Sequence, residues 1–182
     1  MDKILRTAAY AGIISLILIP PEIILEHLHA EQPGNLWIFF PIVLIYMLAI
    51  GTSIFFYYGF YMIGQKLNIR AIMISSLIII LLNFFWYMFQ FFTIRFSPET
   101  YNIIGGTVLV IFGISRIIFG IGIYKVRYSL GRLSTSISIL EIVIGLFLIS
   151  VLWYLVGFVL SLAAAVLQIM LLFRLSKEPS IF

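Results

Sequence analysis

Long apolar stretches separated by short polar segments dominate the chain. They cover roughly residues 4–25, 41–63, 71–94, 103–124, 134–151 and 155–173. A helix needs about 20 apolar residues to cross the hydrocarbon core of a bilayer, so each stretch has about the length of one span. The pattern therefore predicts six transmembrane helices.

The boundary between the last two spans is inferred from length rather than from a polar break. Residues 134–173 carry a single charged residue, Glu141. As one helix this segment would be about 60 Å long, which is about twice the thickness of a bilayer core. The chain must therefore fold back between Ser150 and Leu155.

The composition leaves no room for a soluble domain. Of the 182 residues, 63% are hydrophobic and only 10% are charged, and the mean hydropathy is +1.19. Soluble domains average about 25% charged residues. We therefore expect residues 1–182 to form one all-α domain, a compact six-span bundle with short loops.

The basic residues predict how the bundle is oriented. With a cytoplasmic N-terminus, nine of the eleven lysines and arginines fall on cytoplasmic segments: Lys3, Arg6, Lys66, Arg70, Lys125, Arg127, Arg132, Arg174 and Lys177. Arg95 falls in an outer loop and Arg116 lies inside span four. Cytoplasmic loops carry an excess of such residues, so we predict a multi-pass protein of the cell membrane with both termini cytoplasmic.

Two charged residues lie inside apolar spans. Arg116 comes nine residues before Lys125, and Glu141 nine residues after Arg132. In antiparallel helices both would lie about 13 Å inside the membrane, where they can meet as an ion pair. Gln168 is close enough in depth to hydrogen-bond to them. The pair either fixes the helix register or serves as an ion or proton relay.

Small residues recur at helical spacing on three spans and predict where helices pack closely. They are Gly106, Gly113 and Gly120 on span four, Ser134, Ser138 and Gly145 on span five, and Gly157, Ser161 and Ala164 on span six. Small residues let helix backbones approach in lipid. We expect spans four and five to form a tight hairpin, and spans one and six to close on it.

An acidic cluster follows the two prolines of span one. Glu22, Glu26 and His29 share one helix face if the helix continues past Pro21. Carboxylate and imidazole groups can hold a divalent metal; the alternative is an acidic, solvated helix end. The chain has no cysteine, and no catalytic motif is apparent, so we expect no enzyme activity and no cofactor.

The spacings Ala8-x-x-x-Gly12 and Ala11-x-x-x-Ser15 on span one, with the chain length and six spans, resemble the substrate-binding membrane subunits of energy-coupling vitamin transporters. The resemblance covers one span. It implies, as an alternative, a membrane subunit that binds a small substrate.

The aromatic run Phe84–Phe92 on span three is too bulky for close helix packing, so it meets lipid, a partner or an apolar ligand. We therefore predict a non-catalytic subunit that packs within, or helps assemble, a larger membrane complex. The alternative is a small-solute or ion transporter that uses Arg116 and Glu141. The expected partners are the lipid bilayer and other membrane subunits or further copies of the chain, and not nucleic acid.

Overall fold

A computed structural model describes residues 2–32, 35–92, 98–150 and 153–177, and over these residues the chain is entirely helical. The helices are α1 (Asp2–Glu31), α2 (Leu36–Lys66), α3 (Arg70–Phe92), α4 (Pro98–Lys125), α5 (Arg127–Leu130), α6 (Arg132–Ile149) and α7 (Tyr154–Lys177). The all-α prediction is confirmed for this part of the chain. The turn predicted at 150–155 falls partly on residues 151–152, and Arg95 falls on 93–97, outside the described residues.

Local sequence signals explain several helix boundaries. Asn35 caps α2, because its side-chain oxygen accepts a hydrogen bond from the backbone N–H of Trp37 at 3.1 Å. The short helix α5 lies in the basic loop and was not predicted. Gly131 then leads into α6 with φ +79°, a left-handed conformation that favours glycine.

The prolines of α1 do not end the helix. Pro20 and Pro21 both lie inside α1, which continues to Glu31. A proline removes one backbone hydrogen bond, yet the following turns remain helical. As a result the acidic residues after Pro21 stay on the same helix as the small residues at its start.

The six long helices form a closed ring. Each packs mainly against its neighbour in chain order, and α7 packs against α1. The rings of Tyr10 and Phe173 lie 5.2 Å apart, so the beginning of α1 is beside the end of α7. We call this end of the bundle the termini end and the opposite one the far end.

The main hydrophobic core fills the termini end of the ring. Its largest fully buried side chains come from every long helix: Leu5, Phe60, Ile63, Ile72, Phe119, Ile123, Ile137 and Leu172. A smaller cluster of Ile144, Leu148 and Ala164 lies between α6 and α7. Tight packing is therefore concentrated in one half of the bundle.

All six long helices contain stretches long and apolar enough to cross a membrane. Their outward faces carry large exposed apolar side chains, such as Ile17 at 65%, Leu44 at 62% and Val159 at 63%. Lipid is the surrounding that such faces fit. The fold and composition thus define the class as a multi-pass membrane protein.

Candidate functional site: a cavity inside the helix ring

The two intramembrane charges lie in contact. Arg116 Nη1 donates to both carboxylate oxygens of Glu141, at 3.0 and 3.1 Å. Gln168 Nε2 donates to Oε1 of the same carboxylate at 2.7 Å. The side chain of Glu141 is 1% exposed, while that of Arg116 is 14% exposed. One carboxylate is thus held by three helices, α4, α6 and α7.

Arg116 has donors to spare. Its Nε is buried without a hydrogen-bond partner, and only its Nη1 donates to a described residue. Nε and Nη2 form one edge of the guanidinium, with two parallel N–H bonds that match a carboxylate. Arg116 therefore keeps donors on this edge that no described residue accepts from, and one of them, Nε, is buried.

Arg116 lines a cavity of about 830 Å³ inside the ring. The cavity runs from the middle of the bundle towards the far end, whereas the core fills the termini end. Its polar and charged lining residues are Ser15, Glu22, Glu26, Ser53, Tyr57, Asn83, Tyr87, Gln90, Tyr101, Asn102, Arg116, Tyr154 and Ser161. Ligand pockets typically measure about 300–1,000 Å³, so the cavity has the size for a small molecule.

Glu22 and Glu26 form the acidic side of this cavity. Tyr46 Oη donates to Glu26 Oε1 at 2.6 Å, and Tyr87 Oη donates to Glu22 Oε2 at 3.4 Å. The two tyrosine rings also contact each other, with centroids 5.3 Å apart. Helices α2 and α3 thus orient two carboxylates of α1, a partnership that spacing along the sequence does not indicate.

The predicted metal site does not assemble among the described residues. They contain no group of three or more His, Cys, Asp or Glu side chains placed to hold a metal ion. Glu22 and Glu26 face the cavity, whereas the ring of His29 contacts Phe39 at 6.3 Å. Lying on one helix face does not bring these three residues to one metal ion, because Glu22 and Glu26 line the cavity while His29 packs against Phe39 of α2.

The predicted hairpin of spans four and five corresponds to α4 against α6, and glycines lie at its contact. A Cβ on Gly113 would lie 2.6 Å from the carbonyl oxygen of Gly145, and one on Gly145 would lie 2.5 Å from that of Gly113. Ser138 Oγ donates to the carbonyl oxygen of Gly120 at 2.5 Å. Backbones this close leave no room for a side chain at either Gly113 or Gly145.

Gly106 is a correction to the packing prediction. No atom lies within 4 Å of where its Cβ would be, and the residue lines the cavity. The reason is that α6 ends at Ile149, which already contacts the position of Gly113. Gly106 lies two turns closer to the N-terminus of α4 than Gly113, beyond the end of α6, so no residue of α6 packs against it.

The other predicted packing residues divide among several roles. Gly157 faces Phe147 and Leu148 of α6, and Ala164 is fully buried. Ser161 lines the cavity and donates to the carbonyl oxygen of Gly157 at 2.8 Å. Ser134 donates to the carbonyl oxygen of Gly131 at 2.6 Å, so it stabilises the turn before α6.

The small-residue face of span one packs within the chain. A Cβ on Gly12 would lie 2.7 Å from Phe56, and one on Gly59 would lie 2.5 Å from Ala8 Cβ. Ser15 Oγ donates to Thr52 Oγ1 at 2.8 Å. This face therefore contacts α2 and is not free to receive another protein.

Part of the aromatic run on α3 also turns inward. Trp86 and Tyr87 line the cavity, and Phe89 stacks on Tyr101 of α4 with centroids 5.6 Å apart. Phe84 and Phe85 remain exposed, at 40% and 61%. The prediction that the run meets lipid, a partner or an apolar ligand is therefore wrong for Phe89, which packs inside the chain.

Comparison of the chain with protein-family models, curated proteins and solved structures found no match.

Proposed function

We propose that the protein binds a small polar solute in the central cavity and carries it across the membrane. The observation that supports this proposal is the cavity itself, about 830 Å³ in volume and lined by Arg116, Glu22 and Glu26. Charged groups inside a membrane bundle are costly, and they mark substrate or ion pathways in membrane proteins. A closed ring that encloses charged and polar side chains provides part of such a pathway.

The geometry suggests one state of an alternating transport cycle. The cavity reaches from the middle of the bundle to the far end, and the core beyond it closes the termini end. Phe60 and Phe119, both fully buried with ring centroids 5.2 Å apart, belong to this closure. Transport requires these side chains to separate after the solute has entered from the far end.

The orientation in the membrane is part of the proposal. With both termini cytoplasmic, the cavity opens away from the cytoplasm, and the distribution of basic residues supports this orientation. The chain has no cysteine, so one cysteine introduced at Gln32 can be tested in intact cells with a membrane-impermeant maleimide. Labelling only after the cells are lysed would contradict the orientation.

The accessory-subunit hypothesis stays as the second candidate. The exposed apolar stripe of Ile74, Leu77, Leu81 and Phe85 on α3 supports it, although lipid also fits such a stripe. The transport proposed here needs only this chain, whereas an accessory subunit needs its complex. Liposomes that contain only this protein therefore separate the two proposals.

A pair of glycine substitutions makes the transport test specific. Gly106 lines the cavity, whereas Gly51 is not among its lining residues, and neither has an atom within 4 Å of its Cβ position. Gly106→Leu therefore adds a side chain inside the cavity, and Gly51→Leu adds the same side chain outside it. The first carbon of each new side chain meets no atom within 4 Å.

We expect uptake of at least one labelled solute from a panel of an amino acid, a diamine, a dicarboxylate and a sugar. Gly106→Leu should abolish this uptake, and Gly51→Leu should leave it unchanged. Failure of every solute to enter the liposomes or to stabilise the purified protein would overturn the proposal. Uptake that is equal in both variants would overturn it as well, because the route would then lie outside the cavity.

A further inference from the structure

The cavity carries opposite charges at two depths, and this indicates the chemical class of its solute. Glu22 and Glu26 lie towards the far end, and Arg116 lies in the middle of the bundle. We infer that the cavity takes a zwitterionic solute, with its cationic group at the two carboxylates and its anionic group at Arg116. This inference rests on the proposed function and names its substrate class.

The two carboxylates lack a cation among the described residues. The ion pairs in this part of the chain are His27 with Glu31 and Arg116 with Glu141. Like charges one helical turn apart repel each other, and a tyrosine hydroxyl does not neutralise either. An ammonium group placed between Glu22 and Glu26 supplies the missing charge, and the aromatic residues Trp86 and Tyr87 also line the cavity.

One donor of Arg116 lacks an acceptor. Its Nη1 serves Glu141, while its Nε is buried without a partner. A buried donor without an acceptor is costly, and more so in a membrane interior. When the guanidinium turns this edge towards the cavity, a carboxylate would satisfy Nε and Nη2 with two parallel hydrogen bonds.

The depths of Glu22 and Arg116 show how far apart the two charged groups of the solute lie along the bundle axis. Gly12 lies level with the ion pair, because its Cβ position contacts Ile169, the neighbour of Gln168. Glu22 is ten residues further along α1, which corresponds to about 15 Å of helix. Helical side chains tilt towards the helix N-terminus, so Glu22 of α1 and Arg116 of the antiparallel α4 reach towards each other. The charged groups of the solute therefore lie at depths that differ by less than about 15 Å along the bundle axis.

Three probes of equal carbon-chain length test the inference. δ-Aminovalerate carries one positive and one negative end, cadaverine carries two positive ends, and glutarate carries two negative ends. Each is titrated into the protein in detergent, with thermal stabilisation and intrinsic tryptophan fluorescence, to which Trp86 contributes, as readouts. We expect δ-aminovalerate to bind at least about tenfold more tightly than either of the others, because each of them places a repelled charge at one end.

Substitutions of the charged residues test which group of δ-aminovalerate binds at the two carboxylates and which binds at Arg116. Glu22→Gln together with Glu26→Gln should remove the preference for δ-aminovalerate over glutarate, whereas Glu31→Gln on the same helix should leave it unchanged. Arg116→Lys keeps a positive charge for Glu141 and removes the Nε–Nη2 edge. It should weaken δ-aminovalerate binding by roughly ten- to a hundredfold and leave cadaverine binding unchanged.

The outcomes separate the solute class from the transport function. The zwitterion proposal would be overturned if cadaverine or glutarate bound as tightly as δ-aminovalerate or more tightly, or if a sugar alone were taken up. Each of these results would leave the solute-transport proposal intact. Absence of uptake and of binding for every probe would overturn the transport proposal itself. A preference for δ-aminovalerate that survives both the Glu22→Gln/Glu26→Gln double substitution and Arg116→Lys would overturn the assignment of its two ends.

Discussion

Replacing Arg116 by glutamine tests whether the ion pair holds the ring together. The substitution removes both hydrogen bonds from Nη1 to Glu141 and leaves Gln168 as the carboxylate's remaining donor. Because Glu141 is 1% exposed, its charge stays buried without a counter-ion. Breaking such a pair from one side costs about 3–5 kcal/mol, and we expect Arg116→Gln to lower the free energy of unfolding by that amount.

The two partners should not be equivalent. Glu141→Gln leaves Arg116 without its counter-ion, although the amide oxygen can still accept a hydrogen bond, and Arg116 is 14% exposed and lines the cavity. Its guanidinium can turn to whatever occupies that space, so we expect a smaller loss of about 1–3 kcal/mol. The double variant removes both charges and should return to within about 1 kcal/mol of the original protein.

The measurement is reversible unfolding in mixed micelles with increasing amounts of a denaturing detergent, followed by circular dichroism. The order of stability expected is original protein, double variant, Glu141→Gln and Arg116→Gln. A double variant no more stable than Arg116→Gln would refute the idea that the uncompensated charge causes the loss. A larger loss for Glu141→Gln would refute the role assigned to the cavity.

Two further substitutions test contacts elsewhere in the ring. Gly113→Ala places a Cβ 2.6 Å from the carbonyl oxygen of Gly145, so it should lower the free energy of unfolding by about 1–3 kcal/mol in the same assay. Gly51→Ala is the control and should not destabilise the protein. Equal stability of the two variants would contradict the close approach of α4 and α6. Tyr46→Phe removes the 2.6 Å hydrogen bond to Glu26 and should lower the free energy of unfolding by about 1–2 kcal/mol. Binding of δ-aminovalerate is a second readout. If both stability and binding are unchanged, the hydrogen bond does not order the Glu26 carboxylate.

The parts of the structure that could be predicted are those that the membrane itself constrains. Apolar length predicted six spanning helices, and the equal distances of Arg116 and Glu141 from a shared loop predicted their depth. A lone charge in hydrocarbon needs a partner, so few arrangements were open to this pair. Contacts that depend on loop geometry alone, such as the turn at Gly131, left no comparable signal.

The cavity could not be predicted, because lipid and a cavity both accept apolar side chains. Phe85 and Trp86 are neighbours in an aromatic run, yet one is 61% exposed and the other lines the cavity. Gly106 and Gly113 repeat at the same spacing, and only the end of α6 makes their surroundings different. The tyrosines that hold Glu22 and Glu26 come from other helices, so no spacing within α1 points to them.

The closed order of the ring has a consequence for how the chain is assembled during synthesis. Each long helix packs against the next long helix as soon as that helix is made, whereas the contact of α1 with α7 joins the two ends of the chain. Until α7 is inserted, the ring is an open arc, and the carboxylates of α1 border its gap rather than an enclosed space. The seam between α1 and α7 is thus the last contact to form, and loss of the final helix would leave the acidic wall of the cavity facing lipid.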